Sequence, residues 1–379
     1  MASLADKPLR ILHAVRAPVG GIFRHIVDLA NGQADRGHEV GIVADSLTGG
    51  ERAAKALAEI APRMKLGVYR IAVHRDPRPG DLLVWMQFVR LIRKLKPHVL
   101  HGHGAKAGVF LRLRGRASGT IRVYTPHGGS LHYPLSTVKG AIYSRLERAL
   151  MNNTDLFLFE SAFARDTYQR TIGIPKGLVR CVFNGVTADE FDPVAKADDA
   201  TDLVYVGEFR RIKGADLLID AVARLRADRN SLTLTLAGDG EETAALRAQV
   251  EKLGLTHCVH FIGHVKARHG FSKGRLLVVP SRGDSMPYVV IEAGAAGIPM
   301  VAANVGGIPE IFAEHTDALF APNMVGAMAD AIEIALEDPE ATRARATALR
   351  ERIFLRFSQK SMVEGVLAGY RDAFAASRA

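Results

Sequence analysis

The sequence predicts an α/β protein of two Rossmann-like, doubly wound parallel-sheet domains facing a cleft, and three observations carry that prediction. Short β-branched runs alternate with helix-length segments from end to end, the pattern of parallel strands joined by crossover helices. A polar stretch from Asn184 to Asp202, with Pro193 and five aspartates, interrupts the alternation near its middle. The length, 379 residues, exceeds the size at which one hydrophobic core stops growing.

In chain order, the expected strands of the first half are RILHAV, EVGIVA, VYRIAV, HVLHGH, IRVYTP, DLFLFE and LVRCVF, each short and rich in branched or aromatic residues. After the interruption they are LVYVGE, LTLTLAG, VHFIGH, LLVVPS, PMVAA and ALFAP, and two long helical segments follow from about Pro339. The implied boundaries are a first domain over 1–186, a linker over 187–201, a second domain over 202–357 and a terminal helix over 358–379.

Composition excludes several classes. Apolar residues at 48% with a mean hydropathy of +0.05 describe an ordinary globular chain. No apolar run reaches the roughly 18 residues of a spanning helix. The start, MASLADKPLRILHAV, lacks the basic region, long apolar stretch and cleavage site of a secretory signal, so a cytoplasmic protein is expected. Cys181 and Cys258 have no ligand spacing around them and read as buried, unpaired thiols of a reducing compartment.

Charge is divided unevenly. Residues 1–185 carry 28 Lys and Arg against 13 Asp and Glu, or +15; the rest carry 22 against 27, or −5, which sum to the net +10. The basic front half serves solubility or meets an anionic partner. Its basic stretches are RLIRKLK (Arg90 to Lys96), RLRGR (Arg112 to Arg116) and KGAIYSRLERALM (Lys139 to Met151). In the last, Ile142, Leu146 and Leu150 share a face, the pattern of a core helix or of one resting on anionic lipid.

In open α/β sheets ligands sit outside the carboxyl ends of the strands, so the loops there hold the candidate residues. After the first strand, Gly20 and Gly21 lie at a strand-to-helix turn, where the backbone can approach a ligand or simply turn tightly. No GxGxxG follows, which counts against a nicotinamide or flavin domain. His103 and His127 each lie just past a strand, where the two can meet as hydrogen-bond donors to a hydroxyl-rich ligand or as an acid or base; merely capping a strand is the alternative reading for His127 and more so for His101. Without acidic or cysteine ligands at a usual spacing, no metal is expected there. In VGEFRRIKG, Arg210, Arg211 and Lys213 precede a helix starting near Gly214, a cationic site fit for a diphosphate. In SRGDSMPYVVIEAGAAGIP, Asp284 precedes a helix that Ser285 is expected to cap, and Glu292 lies within it. A carboxylate among apolar neighbours needs hydrogen-bond donors, and ribose hydroxyls would supply them. Gly306 and Gly307 then form another turn, with Glu310 opening a short helix.

These motifs, in this order, resemble retaining glycosyltransferase family 4: a carboxylate, seven residues, EAGAAGIP and VGGIPEI, together with VGEFRRIKG, AGDGEE, FIGHV, TPHG and the early GG. The resemblance covers nearly the whole chain. It implies the GT-B fold, with a nucleotide-diphosphate sugar held by the second domain, the acceptor held by the first, and the terminal helix packed back on the first. It further implies that Arg210 and Lys213 neutralise the diphosphate and Glu292 binds the ribose. Asp284 would contact donor-sugar hydroxyls, His127 would lie beside the reacting sugar, and Gly20 and Gly21 would approach its phosphates. His103 is placed on the acceptor side. Two positions depart from the family: Asp284 stands where it usually has Glu, and Glu208 stands where an arginine usually follows the strand-ending glycine.

The reaction so implied is a metal-independent, retaining hexosyl transfer from a UDP- or GDP-sugar. No Asp-x-Asp occurs in the chain and no cofactor is expected. The basic first half suits a lipopolysaccharide core or lipid-linked exopolysaccharide acceptor, met at the inner face of the cytoplasmic membrane as a peripheral protein. The start RAPVGGIFRHI is similar to that of bacterial members that build surface polysaccharides. A soluble acceptor, a sugar-nucleotide epimerase of the same fold and a noncatalytic nucleotide-sugar binder are the alternatives. Nucleic acid is not an expected partner, because clustered aromatics for base stacking are missing.

Overall fold

A computed structural model describes residues 7–76, 78–113, 119–128, 137–227 and 229–377. Arg114 and Arg116 of one basic stretch, the end of another motif from Gly129 to Pro134, and the side chain of Lys139 lie outside the described residues. The chain divides into two compact units, Met1–Asn184 with Gln359–Ala379, and Gly185–Ser358.

The first unit is built on β1 (Arg10–Val15), β2 (Glu39–Asp45), β3 (Gly67–Ile71), β4 (Val99–His103), β5 (Ile121–Thr125), β6 (Leu156–Phe159) and β7 (Leu178–Cys181). All pair in parallel, in the order β3-β2-β1-β4-β5-β6-β7. Helices between successive strands cover both faces, which is why the central strands are buried almost throughout rather than at alternate residues. On one face Leu12, Leu100, Phe88, Ile92 and Phe110 pack together. On the other, the C-terminal helix Gln359–Ala376 lays Met362, Val363, Val366, Leu367, Tyr370 and Phe374 against Ile11, Val99, Val123, Leu156 and Leu158. Each large side chain buried this way contributes roughly 1.5–3 kcal/mol. Helix Gly20–Asp35 meets this terminal helix closely at Gly32, where a Cβ would fall 2.5 Å from Val363 Cγ2.

The second unit has β8 (Thr201–Val206), β9 (Leu234–Ala237), β10 (Val259–Gly263), β11 (Gly274–Val279), β12 (Met300–Ala303) and β13 (Leu319–Phe320), all parallel, in the order β10-β9-β8-β11-β12-β13. Leu203, Leu218, Leu234, Leu236, Val278 and Met328 belong to its core. Every strand expected from sequence is present, within a few residues of its expected ends. Among the described residues no helix is long and apolar enough to cross a membrane.

Three local expectations are corrected. Helix Val138–Leu150 buries Ser144, Glu147 and Leu150, while Ile142 is 52% exposed. The buried face is chosen by Arg112, an interior guanidinium that requires the Glu147 carboxylate. Ser285 does not cap its helix: the helix runs Tyr288–Ala295 and begins after Pro287, whose extended backbone sets the boundary. Cys258 is buried, but Cys181 is exposed on the edge strand β7.

Candidate functional site

In the second sheet the strand order reverses between β8 and β11, so their loops diverge and open a crevice at the carboxyl ends. Those two loops supply Lys213 and Asp284. Lys213 Nζ donates to Asp284 Oδ1 at 2.8 Å and to Oδ2 at 2.9 Å, and Ser281 Oγ donates to Oδ2 at 2.9 Å. A carboxylate offers about four acceptor positions, so roughly one remains for a further donor.

Glycines allow this convergence. Gly214, at φ +74°, begins helix Ala215–Leu225 so close to the β11 loop that a Cβ would lie 2.0 Å from the Pro280 carbonyl oxygen. Gly306, at φ +64°, presses on Asp284 itself: a Cβ would lie 1.5 Å from its carbonyl oxygen, to which Gly307 N–H donates at 3.1 Å. Gly238, in the loop after β9, has the same relation to the Gly207 carbonyl, at 1.9 Å. Four loops are thus locked backbone to backbone at one end of the sheet.

Arg210 is exposed, with Glu208 Oε2 at 3.8 Å and Glu241 Oε1 at 3.9 Å as its ion-pair partners. Arg211 is also exposed. Glu292 is half-buried, in the second turn of its helix. Sequence reading missed a brace beneath the site: Arg282 grips Asp216 bidentately at 2.7 and 2.6 Å, and its backbone N–H donates to the Ile212 carbonyl at 2.8 Å. This ties the β11 loop to the segment carrying Lys213.

In the first unit the reversal lies between β1 and β4. Gly20, at φ +61°, and Gly21 are exposed at the start of the helix after β1. His103 is the last residue of β4, and His127 follows β5 in the left-handed region at φ +52°, a strained conformation for any residue but glycine. The two histidines do meet, Nδ1 of His103 lying 3.0 Å from Nε2 of His127.

They belong to a larger cluster. The register pairs His13 with His101 on neighbouring strands. His13 Nδ1 lies 3.0 Å from His103 Nε2, and His13 Nε2 lies 2.8 Å from Gln33 Oε1. His101 bonds the Tyr370 hydroxyl at 2.8 Å and Thr125 at 2.9 Å, so it is a network member rather than only a strand end. His25 bonds Asn184 at 2.9 Å and stands edge-on to His127, with ring centroids 4.9 Å apart.

Two trios, His13/His101/His103 and His25/His103/His127, bring ring nitrogens within 4.8 Å of one another. Hydrogen bonds already engage both ring nitrogens of His13, His101 and His103.

Burial holds all five imidazoles neutral. His13 and His25 are brought down to about 4, chiefly by desolvation and partly offset by their bonds to Gln33 and Asn184; His101, His103 and His127 lie well below the ordinary value of 6.5, again chiefly by desolvation. Between pH 6.5 and about 4 the unfolded chain therefore binds protons that the folded unit does not. Stability is present above pH 6.5 and is lost as pH falls through that window, by up to about 1.4 kcal/mol per pH unit for each such histidine. The single tryptophan, Trp85, lies in the first unit and reports on it. Its fluorescence melt is expected to move to clearly lower temperature between about pH 7.5 and pH 5; an unchanged midpoint would refute the buried, neutral cluster.

The same unit contains an apolar cavity of about 530 Å³ whose described lining includes Leu82, Trp85, Val109, Phe110, Leu113 and Leu146. Trp85 Nε1–H is buried there without an acceptor among the described residues.

Comparison with known proteins agrees with both halves. Residues 19–190 match the family described as Glycosyltransferase Family 4, and residues 186–352 match that described as Glycosyl transferases group 1. Glycogen synthase of Mycobacterium tuberculosis is 25% identical over 94% of this chain and 92% of its own. Among solved structures, sucrose-phosphate synthase of Thermosynechococcus elongatus has a TM-score of 0.80 at 22% identity, covering 97% of this chain and 99% of its own. HepE of Anabaena, in a complex with UDP-glucose, has a TM-score of 0.79 at 20% identity, covering 96% and 100%.

Proposed function

Because the chain belongs to the glycosyltransferases, with a family 4 domain followed by a group 1 domain in the GT-B fold, we propose that it moves a hexosyl unit from a UDP- or GDP-sugar to a saccharide acceptor with retention of configuration and without a metal. The observation that carries this reading is the Lys213–Asp284 pair, held by four interlocked loops at the reversal point of the second sheet.

In this reading the Lys213 ammonium and the N–H groups opening helix Ala215–Leu225 stabilise the departing nucleotide diphosphate, with exposed Arg210 joining them. The interactions with Asp284 and the brace from Arg282 to Asp216 hold the lysine loop before the reaction, so little reorganisation is needed as charge develops. The remaining acceptor position of Asp284 takes a sugar hydroxyl, Glu292 takes the ribose, and Gly306 and Gly307 admit the ligand to the backbone. In the first unit Gly20 and Gly21 approach phosphate, His127 serves a hydroxyl of the reacting sugar, and His103 supports it. Transfer passes through an oxocarbenium-like state, the acceptor hydroxyl attacking from the side on which the phosphate leaves.

The acceptor we propose is a glycolipid, a lipopolysaccharide core or a lipid-linked polysaccharide precursor, reached by peripheral contact with an anionic membrane. The +15 charge of residues 1–185 and the apolar cavity beside Trp85 support it.

Thermal stabilisation by UDP, GDP, ADP and their sugars, with EDTA present, tests the donor assignment. A ligand at 100 times its dissociation constant adds about 2.7 kcal/mol. Selective stabilisation by one nucleotide family is expected, followed by transfer from that sugar to membrane acceptors; no stabilisation by any of them would overturn the reading.

A further inference from the structure

The histidine cluster contains a chain of hydrogen bonds whose direction is determined by one residue. Gln33 Oε1 faces His13 Nε2 at 2.8 Å, His13 Nδ1 faces His103 Nε2 at 3.0 Å, and His103 Nδ1 faces His127 Nε2 at 3.0 Å. A carbonyl oxygen only accepts, and a neutral imidazole carries one N–H. His13 must therefore place its proton on Nε2, which makes its Nδ1 an acceptor. His103 must then donate from Nε2, and His127 must do the same. His13 and His103 are buried, His127 is half-buried, and desolvation lowers all three below the ordinary imidazole value, so no extra proton relaxes the rule.

The other end of the same amide fixes the fourth ring. Gln33 Nε2 donates to the Tyr370 hydroxyl at 3.4 Å, that hydroxyl donates to His101 Nδ1 at 2.8 Å, and His101 Nε2–H donates to Thr125 Oγ1 at 2.9 Å. A half-turn of the Gln33 amide would exchange its oxygen and its NH2 group and reverse every donor in both branches.

We propose that Gln33 is a positioning residue which, through His13 and His103, keeps the proton of His127 on Nε2 and leaves Nδ1 as a bare hydrogen-bond acceptor for a substrate hydroxyl. The last step rests on the role given to His127 above; the tautomer assignment does not. Among the described residues no hydrogen bond engages His127 Nδ1, and its left-handed backbone is the strain expected of a residue held for function.

The test is a long-range proton–nitrogen correlation spectrum of the full chain with nitrogen-15 histidine, without substrate, at about pH 7.5. His127 is assigned by its absence in His127→Asn. In the wild type, His13, His103 and His127 are expected to show a protonated Nε2 and an unprotonated Nδ1. In Gln33→Met the acceptor is lost, and the two nitrogens of His127 should move toward a common averaged position. In Gln33→Glu, whose carboxylate accepts at both oxygens, His13 should again hold its proton on Nε2, while Tyr370 donates to the carboxylate and His101 moves its proton to Nδ1; a merely space-filling role would leave His101 unchanged.

A proton on Nδ1 of wild-type His127, a His127 tautomer indifferent to Gln33→Met, or a stoichiometric metal ion ligated by these rings would each overturn the proposal. If Gln33→Met does not fold, the wild-type and Gln33→Glu spectra still decide it. With a donor in hand, Gln33→Met should lower kcat by roughly threefold to tenfold, the worth of one ordinary hydrogen bond, with nucleotide affinity unchanged. Absence of transfer from any donor would refute the function while leaving the tautomers to be judged from the spectrum alone.

Discussion

Lys213→Ala is expected to lower kcat/KM for sugar transfer by about 100- to 1000-fold, the cost of removing one preorganised charge-stabilising donor from a reaction centre. The lysine is held in place by Asp284 at the strand-order reversal, whereas Arg210 is exposed and only loosely paired. The substitution also strips Asp284 of its counter-ion, so the loop that Gly306 and Gly307 press upon loses part of its support. Lys213→Arg separates the two effects: it restores charge with a different shape and should recover only part of the activity. Steady-state kinetics with the donor identified by thermal stabilisation is the measurement. An alanine variant within about threefold of wild type would represent less than 1 kcal/mol and would end the diphosphate assignment.

The largest expected change in stability comes from Glu147→Ala, which should destabilise the first unit by about 3–5 kcal/mol. Arg112 and Glu147 are 1% and 2% exposed and joined at 2.9 Å. The guanidinium lies 3.7 Å over the Tyr124 ring, and the Tyr124 hydroxyl donates to the other Glu147 oxygen at 2.7 Å. Desolvation, reinforced by the neighbouring carboxylate, pushes the Tyr124 hydroxyl well above its ordinary value, so it stays protonated as a donor. Removing Glu147 strands a buried positive charge. Removing both charges at once, as Arg112→Met with Glu147→Leu, should restore most of the stability, because the cost of desolvating an ion pair disappears with the pair. Denaturant unfolding followed by Trp85 fluorescence checks both; a single variant within about 1 kcal/mol of wild type would contradict the argument.

The strands were legible because both faces of each sheet are covered, so their apolar runs stand out between polar turns. Lys213 and Asp284 were legible for a related reason: each lies in a loop after a strand, and in open α/β sheets ligands sit outside the carboxyl ends of the strands. The histidine chain was only half visible. His103 ends a strand and His127 follows one, but His13 sits inside one, and its pairing depends on the register of β1 against β4 and on Gln33 from a neighbouring helix. Helix Val138–Leu150 misled for the opposite reason. Its apolar periodicity names Ile142, yet the face it buries is chosen by an arginine distant in sequence. Pairwise electrostatics between remote segments leaves no period in the chain.

The terminal helix gives the first unit a history as well as a shape. A core containing Met362, Val363, Tyr370 and Phe374 cannot be completed until the helix Gln359–Ala376 is made. The second unit, residues 185–358, is one uninterrupted segment synthesised in between. At roughly 5–20 residues per second those 174 residues take about 9–35 s, during which the first sheet waits with one apolar face unfinished. The unit begun first on the ribosome is therefore finished last, and its open face is where a chaperone would be needed.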